Sequence, residues 1–183
     1  MQKFQSYFSW NNICLLLTLL IISALIPSCS HRGKNNNEFV VKNGLIYHNN
    51  SKTPYTGKWT GYVKGLKIEY DVLNGVKTGE LKTYYKNGSL QMTGHLVNNK
   101  NEGLWKYYYP DSSMESQGNF KDDIPEGKWI WYYDKGEIKG TGSFVLGKRE
   151  GEWIDFDKKG KITLKKLYKN GKELKGKKRI NKK

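Results

Sequence analysis

One sentence of this chain is written several times over. Gly79, Gly103, Gly127 and Gly151 stand 24 residues apart, and the residues around each of them repeat. The clearest copy is EGKWIWYYDKGEIKGTGSFVLGKR, Glu126 to Arg149, with EGLWKYYYPDSSMESQGNFKDDIP before it and EGEWIDFDKKGKITLKKLYKNGKE after it. A fixed period of this size means one supersecondary unit copied and stacked, in which each unit contacts only its neighbours and the shared positions make the core.

The copies divide the chain at 56–77, 78–101, 102–125, 126–149 and 150–173, the first being only 22 residues long. Two residues after the start glycine come Trp59, Leu81, Trp105, Trp129 and Trp153, followed by Tyr84-Tyr85, Tyr108-Tyr109, Tyr132-Tyr133 and, alone in the last copy, Phe156. After a turn the second half carries Gly94, Gly118 and Gly142, each two residues before Leu96, Phe120 and Phe144. Apolar residues do not recur at spacings of three and four, and glycine is too frequent for helix. Two short strands and two turns fill each copy as a β-hairpin. The expectation is all-β: an elongated single-layer antiparallel sheet of stacked hairpins, advancing about 9.5 Å per copy. Identical positions then stack into ladders, and the glycines of the second strand make room for a ring.

The pattern G-x-W-x-x-Y-Y-x-x-G, followed by G-x-F and G-K, resembles the bacterial variant of the MORN repeat. The opening NGLIYHNNSKTPYTGKW also resembles the YwqK-type repeat proteins, which often carry the label "antitoxin". The resemblance runs from Gly44 to about Glu173 and implies the same open sheet of successive hairpins. Copy one departs from it at Gly61 and Val63, and copy five at Asp157 and Lys166, as degenerate end copies do. Residues 39–55 read as an N-terminal cap hairpin and loop, because Asn43-Gly44 between short apolar runs suits a two-residue turn.

The start of the chain is of another kind. Ile13 to Ile26 is a run of 14 mostly apolar residues, short of the roughly 20 needed to span a bilayer and right for a signal-peptide core. Ile26-Pro27-Ser28-Cys29 resembles the bacterial lipoprotein signal. That resemblance implies removal of residues 1–28, lipid on Cys29, and a polar tether over 29–38 that holds the domain at the cell envelope. Ser30 after the cysteine favours the outer membrane if the cell is Gram-negative. Cys14 lies in the removed segment, so the mature chain has no thiol for a disulfide, a zinc site or a nucleophile.

The net charge is +15, and loss of Lys3 leaves 31 bases against 17 acids. The excess is concentrated in the tail, 174–183, where Lys175, Lys177, Lys178, Arg179, Lys182 and Lys183 meet no acid. At an envelope such a tail suits anionic lipid, anionic glycan or an acidic protein rather than nucleic acid. It equally suits a solvated terminus that guards a sheet edge.

Little in the sequence points to catalysis. His31, His48 and His95 share no motif, and neither H-x-x-x-H, G-x-S-x-G nor a phosphate loop occurs. No metal or cofactor is expected. Glu102, Glu126 and Glu150 recur at one repeat position, which reads as turn chemistry rather than a carboxylate pair. Aromatics carry the binding expectation. Trp105, Tyr107, Tyr109, Trp129, Trp131, Tyr133 and Trp153 fall on one face by strand alternation, and Tyr84, Tyr108, Tyr132 and Phe156 on the other. The repeated tryptophans also qualify as the shared core, whereas Trp131 occurs once and is the better binding residue. The expected protein is a membrane-anchored, non-enzymatic scaffold for protein–protein interaction at the envelope. The alternatives are an adapter for anionic lipid or glycan, and an antitoxin-like neutralising protein.

Overall fold

The computed structural model describes residues 38–174. The signal segment, Cys29, the tether up to residue 37 and the tail residues Lys175, Lys177, Lys178, Arg179, Lys182 and Lys183 lie outside the described residues. A small hairpin of β1 (Phe39–Lys42) and β2 (Leu45–His48) comes first, turning at Asn43 and Gly44. Eleven strands follow: β3 (Gly57–Val63), β4 (Leu66–Leu73), β5 (Val76–Tyr84), β6 (Leu90–Val97), β7 (Lys100–Tyr108) and β8 (Met114–Lys121). They continue as β9 (Ile124–Tyr132), β10 (Ile138–Val145), β11 (Lys148–Phe156), β12 (Ile162–Lys169) and β13 (Lys172–Glu173). All eleven form one antiparallel sheet in sequence order, open at both ends. The fold is the all-β, single-layer stack of hairpins that the period demands.

Local chemistry makes the hairpins. Successive copies are joined by two-residue turns with positive φ at both positions, such as Asn74-Gly75 (50° and 81°) and Asp122-Asp123 (50° and 67°). This turn type matches the right-handed twist of the flanking strands. Three are clamped by the glutamate that opens their own copy: Glu102 Oε2 accepts the Asp122 N–H at 3.0 Å, Glu126 that of Leu146 at 2.9 Å, and Glu150 that of Asn170 at 2.7 Å, while in the first copy Thr56 Oγ1 accepts the Asn74 N–H at 2.9 Å. The recurrent glutamate is therefore turn chemistry. At the other end of the hairpins from β5–β6 to β11–β12 a longer turn closes, with Tyr133 N–H donating to the Glu137 carbonyl at 2.8 Å and Tyr85, Tyr109 and Asp157 doing the same in their copies, whereas β3–β4 turns in two residues at Lys64-Gly65.

Rings lying on their own sheet supply the core that a single layer otherwise lacks. A Cβ at Gly94, Gly118 or Gly142 would fall inside the indole of Trp105, Trp129 or Trp153 respectively. The glycine is required because the indole of the next strand lies flat on its backbone. Phenylalanines stand between the indoles, edge to face: Trp105–Phe120 at 6.0 Å, Phe120–Trp129 at 5.3 Å, Trp129–Phe144 at 6.0 Å and Phe144–Trp153 at 5.0 Å. This is the favoured geometry for aromatic pairs and adds about 0.5–1.5 kcal/mol per pair beyond area burial. Tyr168 ends the zigzag at 6.0 Å from Trp153. At the other end Trp59 has no preceding strand to cover and stacks on Tyr70 at 4.7 Å. The β1–β2 hairpin closes this end, with Ile46 N–H bonding the Gly75 carbonyl at 2.9 Å and Gly75 N–H bonding that of Tyr55 at 2.7 Å.

From β4 to β12 the strands run to eight or nine residues, and each copy from the second to the fifth holds two β-bulges. One lies beside the start glycine, whose φ near +69° (Gly103) or +68° (Gly127) suits no branched residue. The other lies beside the longer turn and leaves a single residue unpaired: Gln91, Glu115, Lys139 and Thr163 in successive copies.

Candidate functional site

Comparing the copies rung by rung separates framework from function. Leu81–Gly94, Trp105–Gly118 and Trp129–Gly142 pair across the sheet, as do Gly103–Phe120 and Gly127–Phe144. These rows repeat because each copy needs the same core. The next row on the same face does not repeat. Its cross-strand partners from β5 to β12 are Thr83, Met92, Tyr107, Ser116, Trp131, Gly140, Asp155 and Leu164. Thr83, Tyr107 and Ser116 are buried, at 2, 8 and 6 % exposure, and Gly140 with them, which leaves Met92, Trp131 and Asp155 half-buried and Leu164 exposed.

The expected aromatic face is therefore divided. Trp105, Trp129 and Trp153 are 0, 4 and 3 % exposed, so of the two readings open for them, partner face and shared core, the core is the one they take. The reason is the glycine opposite each of them, which lets the indole sink onto the sheet. Tyr107 is buried as well, and burial pushes its hydroxyl pKa well above the usual tyrosine value. Tyr109 and Tyr133 are half-buried and staple one copy to the next: their hydroxyls donate to the carbonyls of Tyr132 at 2.9 Å and Phe156 at 2.8 Å. Tyr85 does the same to Tyr108 at 2.7 Å. In the last copy Asp157 replaces the stapling tyrosine and accepts the N–H groups of Lys159 and Lys161, each at 2.9 Å. The opposite face carries Tyr84, which donates to Glu69 at 3.0 Å, and Tyr132, which accepts from Gln117 at 3.0 Å.

Trp131, like Tyr109 and Tyr133, is half-buried. Its ring lies 6.0 Å from Trp129 and 5.5 Å from Trp153, so the core positions it from beneath. Across β10 its partner is Gly140, and beyond that Asp155. No side chain at Gly140 separates the indole from the carboxylate.

Charges arrive through the bulges. A bulged residue is re-aimed relative to strict alternation, and Gln91 shows the direction by accepting from Thr83 Oγ1 on the varying row at 3.1 Å. Glu115 and Lys139 hold the same position in the next two copies. Burial holds the Glu115 carboxyl above its ordinary range, and Lys139 works against it. Asp155 is likewise raised by burial and opposed by Lys139, Arg149 and Lys166. Trp131 is thus flanked by an acid, a base and a second acid that no other copy reproduces. Sequence reasoning found Trp131 and missed Glu115 and Lys139, because a bulge carries no side-chain signature; it also passed over Asp155, which alternation alone places on that face. Among the described residues no cluster of three or more His, Cys, Asp or Glu is placed to hold a metal ion.

Four segments of the chain, residues 77–98, 101–122, 125–145 and 149–170, match the family model described as MORN repeat variant. Each covers one of the hairpins from β5–β6 to β11–β12, while the β3–β4 hairpin lies in the same sheet outside the matched residues. Nothing among the curated proteins matches the chain. Residues 77 to 170 of this chain are thus similar to a run of four MORN-variant repeats.

Proposed function

We propose that the protein is a non-enzymatic scaffold, anchored to the bacterial envelope by lipid on Cys29, which captures a protein partner at the row centred on Trp131. One observation carries the reading: beside a Trp–Gly row that repeats, this row differs in each copy and keeps Trp131 and Asp155 half-buried rather than in the core. A shared core explains repetition; a specific contact explains its local loss. Trp is the side chain most often found as an interface anchor, and Glu115, Lys139 and Asp155 supply the polar rim that fixes orientation.

The test is crosslinking and pull-down of the lipidated protein from cells. Trp131→Ala is expected to abolish capture with thermal unfolding unchanged, and Lys139→Glu to weaken it. Unchanged capture in both variants overturns the reading, and loss of folding in Trp131→Ala would assign that ring to the core. The anchor has its own test: a fatty-acid label that persists in Cys29→Ser excludes lipidation at that residue. An adapter that binds anionic lipid or glycan through Lys175, Lys177, Lys178, Arg179, Lys182 and Lys183 is the second reading. It predicts binding that falls steeply with salt. The antitoxin-like role fits less well, since a lipoprotein signal removes the chain from the cytoplasm.

A further inference from the structure

Among the described residues the sheet's last full strand is half-covered. β12 pairs with β11 from Ile162 to Tyr168 on one side, but with β13 only at Tyr168 and Lys169 on the other. One further bond runs from Leu174 N–H to the Leu167 carbonyl at 2.8 Å. Backbone groups alternate sides along a strand, so an outward Leu167 carbonyl means that the N–H and C=O of Lys165 also point outward. Among the described residues no strand meets them there. Ile162, Leu164 and Leu167 along this strand are 51, 39 and 46 % exposed. We propose that the outer edge of β12, from Ile162 to Lys166, accepts an extended acidic segment of a partner protein as an added strand.

Charge and spacing choose the occupant. Lys161, Lys165, Lys166, Lys169 and Lys172 crowd this edge against two acids, Glu152 paired with Lys165 at 2.7 Å and Glu173 paired with Lys166 at 2.8 Å. The chain's own residues 175–183 are long enough to run along β12, but they carry six Lys or Arg and no acid. Like charges directly opposite one another destabilise strand pairing. A second copy fits no better. Two β12 edges brought together oppose lysine to lysine. A β3 edge would need a seat for Trp59, and that seat is the glycine found at Gly94, Gly118 and Gly142, where copy five has Lys166. An acidic strand meets neither obstacle: its backbone takes up the open Lys165 groups and its carboxylates face the lysines. β13 walls off the far end, so the site spans about five residues.

The probe is a labelled nine-residue peptide alternating Glu with Val and Thr, titrated against the full chain by fluorescence anisotropy. Saturable binding is expected, with at least about a tenfold loss when the peptide is N-methylated on one edge or its Glu residues are replaced by Lys. Lys165→Pro removes the outward N–H while the inward groups of Leu164 and Lys166 stay paired, as proline on an edge strand allows. It should lower affinity about tenfold, against less than about threefold for Lys165→Gln, which loses only the charge. Because the N-methylated peptide leaves the protein untouched, its result stands even if Lys165→Pro unfolds. Equal binding of the N-methylated peptide overturns the proposal by reducing the contact to charge alone. So does sedimentation that shows the chain self-associating until Lys165→Pro disperses it, since the occupant is then a second copy.

Discussion

At the scale of single residues, glycine and tyrosine set the tolerance of the sheet. Gly118→Ala puts a methyl where the Trp129 indole lies, and the ring has no other seat because Phe120 and Phe144 stand on either side. Overpacking of this kind costs about 1–3 kcal/mol, so the denaturant midpoint should fall with the m-value unchanged. Gly127→Asn is the control: open space surrounds that position and only its φ of +68° is demanding, which asparagine tolerates. Glu115 makes a titration prediction. Burial raises its carboxyl above the ordinary value of 4.5, so the folded chain holds that proton more tightly than the unfolded one. The stability contributed by the protonated form is complete below 4.5 and is lost as pH rises through the higher folded value. Glu115→Gln should therefore raise the melting temperature at pH 7, and the gain should shrink as pH falls toward 4.5. A gain that stays constant with pH would mean that Glu115 is not desolvated.

At the scale of the hairpin, the opening glutamate acts on a turn 20 residues later, and Glu126→Ala isolates that link. The Leu146 N–H loses its acceptor at an exposed turn, a loss of about 0.5–1.5 kcal/mol. Hydrogen exchange at Leu146 should quicken while the amides of β7 and β8 keep their protection; general loss of protection would mean that the turn nucleates the whole sheet. The same hairpin shows what the sequence could and could not disclose. Period, strand number and the place of the turns were legible, because spacing and Asn-Gly chemistry are properties of the chain itself. The glycine that seats a ring was legible too, since Gly118 stands at the same place as Gly94 and Gly142. The staples from Tyr109 and Tyr133 were not, because a hydroxyl reaching the carbonyl of a residue 23 positions on depends on stacking distance. The burial of Trp105, Trp129 and Trp153 was legible only as one of two readings, since repetition points to a shared core whereas alternation places them on the binding face. The bulge that brings Glu115 and Lys139 beside Trp131 shifts register by one residue, and a pattern read at period two cannot register it.

At the scale of the whole molecule, a sheet in which each hairpin meets only its neighbours should be removable one copy at a time. Deleting residues 126–149 joins Pro125 to Glu150 and leaves Pro-Glu-Gly-Glu-Trp where Pro-Glu-Gly-Lys-Trp stood. Every interface then has a replacement. Trp153 comes to lie over Gly118, Phe120 meets Trp153 in place of Trp129, and the Tyr109 hydroxyl finds the Phe156 carbonyl where it had that of Tyr132. The shortened chain should keep its near-ultraviolet aromatic dichroism and a single cooperative melt, with stability lowered by one hairpin and one interface. It should also lose partner capture, since Trp131 and Lys139 leave with the deleted copy. Deleting 126–150 instead removes one residue more and turns every later side chain to the opposite face, so that Trp153 points away from Gly118. That variant should lose the aromatic signal and aggregate. If both deletions fold equally well, the ring-on-glycine ladder does not set the register and the sheet is held by its backbone bonds alone. If neither folds, the hairpins are not interchangeable, and the core depends on the order of its copies as well as on their repetition.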